Sequence, residues 1–155
     1  MTTAQLGQFS TAQLAGIATA AVKGITTAQL AALTTAQIPG FSTAQIKALA
    51  TAQIAAMETA DIAALTTAQL QAFDTAQISS LGTAQLVALT TAQTVALTTA
   101  QMTGLRTAQI AAFSTAQVAA METQDIVALS STQVAAFSST QIAAMSSAQL
   151  NAMFL

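Results

Sequence analysis

A chain of 155 residues is the size of one ordinary domain. Charged residues make up 5 % of it, the net charge is −2, and His, Cys, Trp and Tyr are absent. Imidazole acid–base chemistry, thiol nucleophiles and soft metal ligands are thereby excluded, so no enzyme, no cofactor and no small-molecule substrate is expected, and three cations are too few for nucleic-acid binding.

The start, Met1-Thr2-Thr3-Ala4-Gln5, has no basic segment followed by an apolar one, so no signal peptide is expected. From Thr3 onward the chain is repeat alone. Residues 3–154 divide into 19 octads of eight without insertion or deletion. The consensus is Thr-Ala-Gln-Ile-Ala-Ala-Leu-Thr. The whole chain, 1–155, is therefore one repeat domain. Position 1 is always Thr or Ser, and position 3 is Gln apart from Ala21, Asp61 and Asp125. Position 4 is aliphatic or Met apart from Thr94. Position 6 is Ala, Gly or Ser apart from Gln8, and position 7 is Leu, Ile, Met or Phe throughout. Glutamine recurs through the apolar stretches, so no membrane span is expected.

The period of eight fits no unbroken helix. At about 100° per residue, eight residues overshoot two turns by about 80°, and an apolar stripe would precess around the axis. Within one octad the helical period works: positions 2, 3, 4, 6 and 7 share one arc, and positions 1, 5 and 8 share the other. Each octad is thus expected to form a short capped helix of about one and a half turns. Thr or Ser at position 8 with Gln at position 3 has the spacing of a capping box, and the hydroxyl at position 1 is a second candidate cap. Helices this short need tertiary packing. The fold expected is an all-α solenoid of 19 octads. Its core is built from positions 4 and 7, with small residues at positions 2 and 6 allowing close backbone approach. Octad 8 is representative: Leu65 at position 7 is expected to be buried and Ala63 at position 5 exposed. The alternative is a β-solenoid, favoured by Thr and by the alternation of positions 2, 4 and 6. Ala, Gln, Leu and Met favour the helix.

Along the chain the departures are few. Pro39-Gly40 in octad 5 sits awkwardly in a helix. Glu58 with Asp61, and Glu122 with Asp125, place carboxylates at positions 8 and 3. Such pairs suit N-terminal capping better than a cation site, since two carboxylates make a poor cage. Phe at position 7, as in Phe41 and Phe73, reads as an interchangeable core filler. After Ser130 the octads drift toward Ser-Ser and Ser-Thr.

Leu33-Thr34-Thr35-Ala36-Gln37-Ile38 resembles the opening helix of the repeat in TAL-effector proteins. The second helix and base-reading loop have no counterpart here, so that resemblance implies no DNA reading. The octads as a whole resemble tracts in large, repetitive bacterial surface or secreted adhesin-like proteins. This implies an extracellular or cell-surface, architectural role.

The first octad carries the consensus core, and the chain closes on Ala152-Met153-Phe154-Leu155. Solenoids stay soluble through atypical polar terminal repeats. The expectation is therefore self-association end to end into a filament or stalk. The contacts are assigned to Leu6 and Phe9 at one end and Leu150, Met153, Phe154 and Leu155 at the other. Two alternatives accompany this reading: an ice- or surface-binding module using regular Thr rows, and a designed repeat or a fragment of a larger adhesin.

Overall fold

The computed structural model describes residues 2–154. Among them are eighteen short α-helices, one per octad from Thr3–Gly7 to Ser147–Ala152, and no strand. The all-α reading holds and the β-solenoid does not. Octad 5 is the exception, closing on a 3-10 turn at Ile38–Gly40. Pro39 offers no amide hydrogen to a helical bond, yet Ile38 and Phe41 still reach the core.

Position 8, not position 1, is the cap. The Gln45 N–H donates to Ser42 Oγ at 3.2 Å, while the Ser42 N–H donates to Gln45 Oε1 at 2.7 Å. The box recurs at the other octads where Ser, Thr or Asp precedes the glutamine, as at Asp74 and Gln77, except at Thr34, where the Thr34 N–H still donates to Gln37 Oε1 but the Gln37 N–H turns to the Thr34 carbonyl. At Ala50, Gly82 and Arg106 the cap side chain contributes nothing, but the cap N–H still donates to the glutamine. Each octad ends on a tight turn, such as Leu49 N–H to the Ile46 carbonyl at 3.2 Å. Positions 7 and 8 are then extended: Leu49 has φ −63°, ψ 138° and Ala50 has φ −72°, ψ 154°. These two residues re-aim the chain. No described residue has positive φ, so the hinge needs no glycine.

Each helix packs against the helix three octads on, as Thr83–Val87 does on Thr107–Ala112. The glutamines reach back four octads (below). One solenoid turn therefore holds between three and four octads. Residues at positions 4 and 7 form one continuous apolar core running the length of the molecule. Thr94, the polar residue at position 4, is 1 % exposed and satisfied by donating to the Thr90 carbonyl of its own helix at 3.0 Å.

The close approach expected of positions 2 and 6 belongs to position 6 alone; position 2 is exposed in every octad. A Cβ added to Gly104 would lie 3.0 Å from Thr75 Cβ. One added to Gly40 would lie 2.7 Å from Thr11 Cα. In both cases position 6 of one octad presses on position 1 of the octad three before it. That contact accounts for the small residues of one column and fixes what the hydroxyl residues of the other lie against.

Candidate functional site: the amide column and the two ends

Position 3 does two things at once. Its Oε1 accepts the N–H of its own cap. Its Nε2 donates to main-chain carbonyls four octads earlier. Gln69 donates to the Ile38 carbonyl at 3.0 Å and the Phe41 carbonyl at 2.7 Å. Gln101 reaches Leu70 and Phe73, both at 2.8 Å. The same pair of carbonyls, at positions 4 and 7, serves every position-3 glutamine from Gln37 to Gln149. All of these glutamines are buried. The carbonyl at position 7 has no backbone partner of its own because the chain there is extended, so the amide satisfies a group that would otherwise be orphaned.

The column is open at both ends. Gln5 and Gln13 are exposed, with no octad four places earlier within the 155 residues, and donate no side-chain hydrogen bond among the described residues. At the other end the position-7 carbonyls of Leu129, Phe137 and Met145 accept none. Each end also carries a cleft. Gln5, Gln8, Phe9 and Gln13 line one of about 480 Å³. Ile126, Leu129, Val134, Ala152 and Met153 help to line one of about 350 Å³. Of the residues assigned to the end contacts, Leu6 is fully buried in the chain's own core and Phe9, Leu150 and Met153 are partly buried. Phe154 is 86 % exposed. Leu155 lies outside the described residues. Sequence reasoning missed Gln5 and Gln13 as end residues. The near-constancy of glutamine at position 3 was the available signal.

Where Asp replaces Gln the donor is lost. Asp125 is 2 % exposed, and its Oδ1 accepts from Thr99 Oγ1 at 2.9 Å. Asp61 is equally buried, and its Oδ2 has no partner. Burial raises both carboxyls above the usual aspartate value. The Glu58 carboxylate adds to the rise at Asp61 while the Glu58 N–H opposes it; at Asp125 the Thr99 bond opposes the rise and Glu122 adds to it. A carboxyl raised in the folded state is charged at neutral pH at the fold's expense. As pH falls through the folded value, the native state takes up the proton first and stability increases. The gain ends near about 3.9, where the unfolded chain protonates too. Melting in buffer free of divalent cations should therefore show the wild type stabilised between neutral pH and about pH 4. The gain should be absent in Asp61→Gln/Asp125→Gln. Equal pH profiles for the two proteins would show that these carboxyls are not the groups responsible.

Among the described residues no helix is long and apolar enough to cross a membrane. No curated protein and no solved structure matches the chain. The ALTTAQ repeat family matches residues 9–41, 22–57, 54–91, 95–122 and 118–153. Those segments tile nearly all of the octads whose geometry is described above, and the chain is a member of the ALTTAQ repeat family.

Proposed function

We propose that the chain is a non-catalytic structural protein whose copies stack end to end into a filament or an extracellular stalk. The observation that carries this reading is the complementarity of the two ends. One presents the amide donors of Gln5 and Gln13 beside Phe9. The other presents the carbonyls of Leu129 and Phe137, which the continued register would set against Gln5 and Gln13 of the next copy, with Met153 lining a cleft beside Leu129. Inside the molecule this pairing of amides with carbonyls is what joins one solenoid turn to the next. A head-to-tail joint of this kind propagates without closing. A net charge of −2 opposes it little.

Sedimentation and electron microscopy of the purified chain test the reading. Met153→Lys with Phe154→Glu should keep the helicity, because both residues lie in the last octad, which packs on Thr123–Val127 and ties to the Val118 and Met121 carbonyls and leaves the earlier turns joined as before, and should abolish the filaments. Monodisperse wild-type monomers at high concentration would overturn it. Filaments unchanged in the variant would move assembly to the sides of the solenoid.

A second reading, binding to ice, takes its support from the uniform exposure of Thr at position 1 and Ala at position 2 through most of the chain. Absence of thermal hysteresis at high protein concentration would remove it.

A further inference from the structure

Octads 7 and 9 show what position 3 faces. Gln53 donates to the Val22 and Ile25 carbonyls at 3.0 and 2.6 Å, and Gln69 to those of Ile38 and Phe41 at 3.0 and 2.7 Å. Asp61 lies between them in the same register, 31 and 28 residues after Leu30 and Leu33. It therefore faces the Leu30 and Leu33 carbonyls. Its neighbours place an amide nitrogen between two such oxygens. Aspartate is one methylene shorter and, when ionised, carries no hydrogen.

The Glu58 N–H donates to the Asp61 carboxylate, but no donor reaches its Oδ2. Asp61 is 2 % exposed with Oδ2 unpartnered, and the Leu33 carbonyl accepts no hydrogen bond among the described residues. The octads packed around it, residues 27–34, 35–42, 83–90 and 91–98, contain no charged residue. The one ionisable neighbour is Glu58, at the cap of the same helix, and it adds negative charge. Thr35 stands 26 residues before Asp61, as Thr99 stands before Asp125. Thr99 donates to its aspartate; Thr35 belongs to the Pro39 octad, whose helix is a turn, and makes no such bond. The chain has two glutamates, and each precedes by three residues an Asp at position 3. Like charges so placed are unfavourable unless something positive joins them.

We propose that Asp61 and Glu58, with the Leu30 and Leu33 carbonyls, bind a hard divalent cation of the size of calcium. Two carboxylates balance its charge. The carbonyl pair already converges on a single atom in the neighbouring octads, which is the arrangement that carboxylate and main-chain oxygens make around calcium at about 2.3–2.6 Å. Four protein oxygens leave the remaining positions to water, so the affinity expected is that of a weak site, with Kd on the order of 0.1–1 mM.

Calorimetric titration with CaCl2 and melting in the presence and absence of CaCl2 test this on the whole chain. The wild type should bind one calcium in that range and melt higher with it. Asp61→Gln restores the consensus amide and should fold normally, yet lose both responses. Glu58→Thr should weaken binding. Asp125→Gln should leave both responses in place, because Thr99 already satisfies that site. No response of the wild type to CaCl2 at about ten times that Kd, or a response that Asp61→Gln retains, would overturn the site. So would stabilisation of Asp61 by acid with none by calcium, since a proton alone would then neutralise the carboxyl.

Discussion

Gln101→Leu is expected to destabilise the protein by about 1.5–4.5 kcal/mol, although it leaves the side-chain volume almost unchanged. Gln101 is 2 % exposed. Its removal leaves the Thr98 N–H and the Phe73 carbonyl without their partners, while the Leu70 carbonyl keeps its bond from the Phe73 N–H. The buried Phe73 carbonyl stripped of its partner costs about 1–3 kcal/mol, and the part-buried bond of the Thr98 N–H is worth about 0.5–1.5 kcal/mol more. Gln5→Leu is the control. Gln5 makes the same local box with Thr2 but no bond to another turn. Its loss should cost under about 1 kcal/mol, the net worth of an exposed hydrogen bond. Equilibrium denaturation followed by circular dichroism gives both values. If the two variants lose equal stability, the long-range ties contribute nothing and stacking of the core alone holds the turns together. Because Gln101 ties octad 13 to octad 9, the variant should also broaden the transition as the two halves of the solenoid uncouple.

The octad itself was legible because everything that shapes it lies within eight residues. The Ser42–Gln45 box, the apolar pair Ile46 and Leu49, and the extended joint at Leu49 and Ala50 all follow from local spacing. The stacking was not legible. A strict period of eight makes octads three and four places away look alike, so nothing in the sequence says that Gln69 reaches Phe41 or that Gly104 rests on Thr75. For the same reason the alanine at position 2 was assigned to the packed arc. A wheel assumes a helix with one broad buried face, whereas helices of five residues are gripped at position 6 from the turn before and at position 3 by the carbonyls four octads back. Asp61 stood out in the sequence as a departure from glutamine. The carbonyls that change its chemistry are 28 and 31 residues away, and only the register of Gln53 and Gln69 reveals them. At the ends, Leu6 reads as an apolar residue available for contact; the structure shows it spent on the chain's own core, with Gln5 beside it facing out.

Leu65→Ala should cost about 2–5 kcal/mol, the range for a leucine removed from a packed interior where the surroundings relax only in part. Leu65 is 4 % exposed and belongs to the continuous core. Its carbonyl also accepts from Gln93 Nε2 at 2.7 Å. The backbone at Leu65 is therefore anchored from the following turn, which limits how far it can shift to close the space. The comparison residue must sit on the outer face. Ala63, at position 5 of the same octad, is half-buried rather than exposed. Ala111, at position 5 of octad 14, is exposed and is the better choice. Ala111→Glu should change stability by less than about 0.5 kcal/mol, as an outward-facing substitution. Thermal melts of the two variants decide the matter. A Leu65→Ala protein that melts with the wild type, or an Ala111→Glu protein that melts as low as Leu65→Ala, would mean that the octads face the other way and that the core described here is not what holds one turn upon the next.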